Sequence, residues 1–186
     1  EQFEAQERAK IAKLRAQEDT YVQLARTTIE TYVRTGKIIA VPDNLPKEMY
    51  SQKAGVFVSI KENGSLRGCI GTICAVRTCV AEEIIENAIS AACRDPRFQP
   101  IRQEELDELV ISVDVLGDTE EIDSPDKLDV SRYGVIVTKG HKRGLLLPNL
   151  DGVDTVEDQI AIAKRKAGIG DNEEIALERF EVIRHY

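Results

Sequence analysis

Hydrophobic positions along this chain change period several times, and each change marks an element. Tyr21, Val22, Ala25, Ile29, Tyr32 and Val33 recur at helical spacing, with Asp19 or Thr20 as N-cap and Gly36 as stop. Leu45 lies between Pro42 and Pro46 in a loop. Residues 55–62 (GVFVSIKE) read as a strand and residues 65–72 as its return. Asn63-Gly64 forms the hairpin turn, because both residues tolerate positive φ. A helix follows from about Thr78 to Arg94, with Val80, Ile84, Ile85, Ala88, Ala91 and Ala92 on one side, and Asp95-Pro96 ends it. Residues 109–116 (LVISVDVL) are apolar on both faces and predict a central strand.

The same order then recurs. Residues 134–139, a turn at 140–143 and residues 144–147 predict a second hairpin. Asp154 opens a helix, with Glu157 completing a capping box, a stripe of Val156, Ile160, Ala163 and Ala167, and Gly168 as stop. The run 175–183 is a last strand whose alternation slips near Arg179, as at a bulge. Two hairpins, each followed by a helix and a strand, predict an α+β fold of mainly antiparallel sheet with flanking helices. The repeated order points to an internal repeat or two sub-domains, without sequence identity between the halves. Residues 1–18 are charged and Ala-rich and read as a solvated helical linker or tail outside the core.

Composition narrows the class. The 186 residues, 42% of them hydrophobic, can hold one ordinary domain or two small ones, with a core of Ile, Val, Leu and Ala because Trp is absent. A net charge of −8 argues against a general nucleic-acid binder and suits a cytoplasmic protein. No apolar run reaches the roughly 20 residues of a membrane span. The N-terminus has no signal-peptide h-region, and the start at Glu1 rather than Met points to a piece of something longer. Cys69, Cys74, Cys79 and Cys93 read as reduced thiols. Their C-x4-C-x4-C spacing is wrong for structural zinc, and no metal or cofactor is implied. Walker, G-x-G-x-x-G and G-x-S-x-G motifs are all absent.

The densest chemistry lies in Ser65-Leu66-Arg67-Gly68-Cys69-Ile70-Gly71-Thr72. Alternation along a strand puts Arg67 and Cys69 on one side, roughly 6–7 Å apart. A guanidinium there favours thiolate, the nucleophilic form. A two-residue turn pairs Ile60 with Arg67 and Val58 with Cys69, so both project among Val56, Val58 and Ile60, opposite Phe57, Leu66 and Ile70; a bulge at Gly68 or a three-residue loop would flip this register. Both faces are apolar and are expected to be covered. A covered arginine needs an acceptor: Asp114 first, Asp95 second, or an anionic ligand. Gly68 and Gly71 leave backbone N–H groups open to a ligand. In the other reading, Cys69 is a small buried hydrophobe and Arg67 a structural ion partner. The loop Asp95-Pro96-Arg97-Phe98-Gln99-Pro100 is fixed by two prolines and anchored by Phe98, either as a helix stop or with Asp95 or Arg97 facing a cleft. His141 sits in a basic turn, which is solvated, an anion site, or a base reaching toward Cys69. His185 reads as a frayed end.

Arg67-Gly68-Cys69-Ile70-Gly71, Asp95-Pro96-Arg97-Phe98 and Leu145-Leu146-Leu147-Pro148, in this order, resemble the AMMECR-one domain family, in its prokaryotic branch called AmmeMemoRadiSam system protein A. The segments GVFVSIK, ISVDVLG and KAGI extend the likeness over about residues 19–186. The resemblance implies two unequal sub-domains with a cleft between them. It also implies partnership with a Memo-type protein, related to class III extradiol dioxygenases, and with a radical SAM enzyme. It delivers no reaction. The expected function is therefore a thiol-bearing enzyme or enzyme component acting on a small anionic substrate, with Cys69 and Arg67 catalytic. Gly68, Gly71, Asp95, Arg97, Asp114 and His141 would bind the ligand. The competing expectation is a non-catalytic adaptor for the same partners; RNA binding is disfavoured by the acidic balance and the lack of an aromatic platform.

Overall fold

In the computed structural model, which describes residues 1–186, the chain forms two compact units: Glu1–Val115 with Arg184–Tyr186, and Leu116–Ile183. The helices are α1 (Gln2–Ala16), α2 (Thr20–Thr35), α3 (Lys47–Ser51), α4 (Val80–Cys93) and α5 (Val156–Ala167). The strands are β1 (Val56–Glu62), β2 (Ser65–Gly71), β3 (Leu109–Leu116), β4 (Glu120–Ile122), β5 (Gly134–Lys139), β6 (Lys142–Leu146), β7 (Ala176–Phe180) and β8 (Val182–His185). They form two sheets, ordered β2-β1-β3-β8 and β4-β7-β5-β6. The fold is α+β with flanking helices.

In the first unit, α2 starts where the Asp19 side chain accepts the Val22 N–H and stops at Gly36, whose φ of 71° suits a residue without Cβ. Its apolar face packs against α4, and α4 packs on β1 and β2. Val56, Val58, Ile60, Ile111, Val113 and Val115 face this layer and are buried, each side chain contributing about 1.5–3 kcal/mol.

The second unit repeats the plan. The hairpin β5–β6 is followed by α5, and β7 then pairs antiparallel with β5, as β3 does with β1. The correspondence extends to single contacts. A Cβ at Gly68 would stand 2.2 Å from the Ala91 carbonyl oxygen of α4, and one at Gly144 would stand 2.2 Å from that of Ala163 in α5. One helical turn before each alanine, a buried amide ties the helix to the start of the first hairpin strand. Asn87 donates to the Val56 carbonyl and Gln159 to that of Tyr133, each at 2.9 Å. An arginine, Arg67 or Arg143, precedes each glycine. The halves therefore share an Arg-Gly signature too short to register as sequence identity.

Several boundaries differ from expectation. Lys139 pairs with Lys142, so the second turn is only Gly140-His141. The cap of α5 is Thr155, which accepts the Asp158 N–H, one residue later than the predicted box. The slip near Arg179 is a break at Glu181, where the chain leaves β7 for β8. Helix α3 and strand β4, with 5 and 3 residues, are too short for periodicity to reveal. Helix α1 is not wholly solvated: Ile11 is buried, and Arg15 bridges Glu30 at 2.7 Å and Asp107 at 3.3 Å. Nor is His185 frayed. Its ring stacks on Tyr21 at 3.8 Å and its Nδ1 lies 2.6 Å from Asp19.

The glycine–helix contacts set a test. Gly68→Ala and Gly144→Ala each lower unfolding free energy in urea by about 3 kcal/mol, because backbone must move on both sides. Gly36→Ala, with open space but positive φ, costs about 1 kcal/mol.

Candidate functional site

The site starts from an irregularity in β2. Glu62 pairs with Ser65 and Lys61 with Leu66, as a two-residue turn requires, but Ile60 then pairs with Gly68. Arg67 is the extra residue of a β-bulge, and every later side chain changes face. Cys69 thus lies opposite Ser59, not Val58. It shares its face with Phe57, Ser59 and Ser112, while Ile70 joins Val58 against the core. The expected grouping of Arg67 and Cys69 with Val56, Val58 and Ile60 is corrected by this one residue. So is the expectation of two covered faces, since Phe57, Ser59, Cys69 and Ser112 are all partly exposed.

β2 is an edge strand, and outward backbone groups at an edge need partners. The Cys69 N–H donates to Asp95 Oδ2 at 3.0 Å, and its carbonyl accepts from Arg97 Nη2 at 3.1 Å. Both groups therefore point away from β1. That makes Ser59–Cys69 the type of cross-strand pair whose side chains lie closest. Cys69 Sγ and Ser59 Oγ are 3.2 Å apart.

Asp95 and Arg97 form a fork of 3.0 and 2.8 Å, and Asp95 also accepts the Arg97 N–H. Burial alone would raise the Asp95 carboxyl. The Arg97 side chain and the N–H groups of Cys69 and Arg97 outweigh it and hold the group at about 2. The Arg97 guanidinium is pushed up by its bond to Asp95, then by that residue's charge and by the Cys69 sulfur. It packs 5.4 Å from the partly buried Phe98 ring, and 48% of its side chain is exposed. Ile101, not Phe98, is the residue of this loop in the core.

Arg67 faces elsewhere. Its Nε and Nη2 contact Glu105 at 2.9 and 3.2 Å, and its remaining donors reach the carbonyls of Gln99 and Pro100 at 2.8 and 3.3 Å. Neither Asp114 nor Asp95 is its partner. Asp114 is buried in a fork with Arg184, at 2.7 and 2.9 Å. Glu62 also approaches Arg67, at 3.6 Å. Burial and the neighbouring Glu105 push the Glu62 carboxyl up to about 7, whereas Glu105, buried but bonded by Arg67 and the Arg102 N–H, is held at about 2.

Of the other predicted residues, Gly68 and Gly71 do not open onto a ligand. Their missing side chains make room for the Ala91 carbonyl and for the Phe57 ring. His141 is exposed at the β5–β6 turn in the second unit. Cys79 is buried, Cys74 is exposed and Cys93 partly buried, with no disulfide among the four cysteines and no cluster able to hold a metal. Ser59, Ser112 and Glu105 went unpredicted. The signal for the serines was visible, because each interrupts an otherwise apolar strand.

The second unit supplies an internal comparison. The rung Cys69–Ser59–Ser112 corresponds to Leu145–Ile136–Glu178, one residue along from the matched glycines. Leu145 and Ile136 are buried, so thiol and hydroxyl stand where the duplicate packs hydrocarbon.

The family profile described as AMMECR1 matches residues 22–185. The chain belongs to the AMMECR1 family. A Thermotoga maritima relative is 48% identical over 170 residues, covering 90% of this chain and 98% of its own. A Clostridium acetobutylicum relative is 51% identical over 170 residues, which are 91% of this chain but only 36% of that longer protein. The crystal structure of an uncharacterized Pyrococcus horikoshii protein superimposes with a TM-score of 0.81 at 38% identity, covering 88% of both chains. In this AMMECR1-family chain, Arg67-Gly68-Cys69-Ile70-Gly71 and the loop Asp95-Pro96-Arg97-Phe98 thus meet at one peptide, Cys69.

The carboxylates give the site a pH signature. Asp95 and Glu105 stabilise the fold above their ordinary range, and that stability is lost as pH falls through about 2. Glu62 acts oppositely, since its folded form holds a proton to about 7 against an ordinary 4.5, so it lowers stability as pH rises between those values. Glu62→Gln removes that decline, and urea midpoints measured at about pH 5 and about pH 8 converge relative to those of the unsubstituted protein.

Proposed function

We propose that this AMMECR1-family protein is a cytoplasmic thiol-bearing enzyme, or enzyme component, acting on a small anionic substrate. The observation that carries the reading is the partly exposed Cys69–Ser59–Ser112 rung, set where the duplicated unit packs leucine and isoleucine. Cys69 is the nucleophile. Ser59 touches the sulfur, and Arg97 takes the cation role first expected of Arg67. Its Nε and Nη2 are engaged, whereas Nη1 has no hydrogen bond within the protein and is free for a carboxylate or phosphate. Asp95 is a positioning residue, holding both Arg97 and the Cys69 peptide. The work is done alongside Memo-type and radical SAM partners, as the family resemblance implies. A relative in which the matched region is about a third of a longer chain fits work with an attached partner.

One observation favours the adaptor reading instead. Arg67, Gly68, Gly71 and the Cys69 peptide each make a contact that the fold itself needs. Alkylation separates the two. With iodoacetamide at pH 7, peptide mapping finds Cys69 modified faster than Cys79 and Cys93, and Arg97→Met slows it at least about threefold. Cys69→Ser, folded and as stable as the parent, abolishes pathway activity. An inert Cys69, or full activity in the serine variant, leaves the adaptor, whose test is capture of a Memo-type protein by the purified chain.

A further inference from the structure

The two units differ again one rung beyond Cys69. In the first unit this rung pairs Gly71 with Phe57 and Phe57 with Asp114; in the second it pairs Gly134 with Phe180. Each unit lays one phenylalanine ring over one glycine. A Cβ on Gly71 would stand 2.3 Å from the Phe57 ring, and one on Gly134 would stand 2.2 Å from the Phe180 ring. The strands that carry the pair are not the same. Phe180 belongs to β7, covers the central strand β5 and is only 1% exposed. Phe57 belongs to the central strand β1, covers the edge strand β2 and stays partly exposed. On β3, where the second unit has its ring, the first has Asp114, buried in its fork with Arg184.

Shifting the ring one strand toward the edge brings it beside the thiol. Gly71 and Cys69 are two residues apart on β2, so the backbone beneath the ring lies roughly 6–7 Å from that of Cys69. Diagonal neighbours at that spacing are within reach of an aromatic side chain. The Cys69 face thus has an aromatic surface along the strand and the Arg97 guanidinium at the sheet edge, holding the Cys69 carbonyl. We propose that Phe57 is a specificity-determining residue of this site, and that the anionic substrate has a flat aromatic or conjugated body that lies on the Phe57 ring while its anionic group meets Arg97. The proposal rests on the reading of the Cys69 face as the substrate site, but it asks nothing of the thiol's reactivity. Offset stacking of two rings adds to what burial of hydrocarbon alone supplies, so flatness itself is what the site selects.

Titration of the full chain with 4-acetamidobenzoate and with its saturated counterpart, 4-acetamidocyclohexanecarboxylate, followed by NMR, tests it. The flat acid saturates one site, shifts the signals of Phe57, Ser59 and Cys69, and binds at least about fivefold more tightly than the saturated acid. Phe57→Leu, which leaves an apolar side chain over Gly71, removes that difference, whereas Phe57→Tyr and Cys69→Ser keep it. The proposal is overturned if neither acid saturates, if the two bind alike, or if Phe57→Leu preserves the preference. A preference for the flat acid in a protein whose Cys69 resists iodoacetamide supports the aromatic platform and removes only the thiol chemistry.

Discussion

The structure around Cys69 depends on how an edge strand disposes of its outward backbone groups. β2 borders its sheet, and at Cys69 both the N–H and the carbonyl face away from β1. The Asp95–Arg97 pair takes both. A carboxylate accepts and a guanidinium donates, so the two charges satisfy each other as well as the peptide between them. This fixes the residue's orientation independently of its side chain. The sulfur is thereby left to meet Ser59 and solvent rather than the core.

Duplication explains what is scaffold and what is particular. The hairpin, the helix seated on a bare glycine, and the buried amide recur in both units and are needed for any such packing. In the second unit the carbonyl of Leu145, which corresponds to Cys69, is also held by a cation, the Lys166 ammonium at 3.0 Å. The clamp is thus common architecture in outline. The thiol, the paired hydroxyls and the aspartate that completes the clamp belong to the first unit.

Much of the fold was legible because its elements are long and periodic. α2, β3 and β5 follow from apolar spacing, a capping aspartate and stop residues. Arg67, Cys69, Asp95 and Arg97 were also named, and all lie in or beside the Cys69 clamp. Their partners were not legible. Glu105 sits in a charged 3₁₀ turn that looks like solvated surface, and only the tertiary path brings it to Arg67. The pairing of Cys69 with Ser59 was missed for a different reason. Alternation presumes an unbroken ladder, and Gly68 permits a bulge without requiring one, so the sequence does not decide between the two registers. Asp114 was noticed for being polar in an apolar strand; it is buried and paired as that implies, but with Arg184 rather than with the expected Arg67.

The bulge at Arg67 makes the number of residues between the Asn63-Gly64 turn and Cys69 a constraint in its own right. Delete one, and the thiol would exchange places with Ile70: an isoleucine would meet solvent and a sulfur would enter the hydrocarbon layer beneath α4, even though no residue of the Cys69 clamp had been substituted. Variation in this stretch should therefore tolerate changes of residue type at Ser65 and Leu66 far better than any change of length.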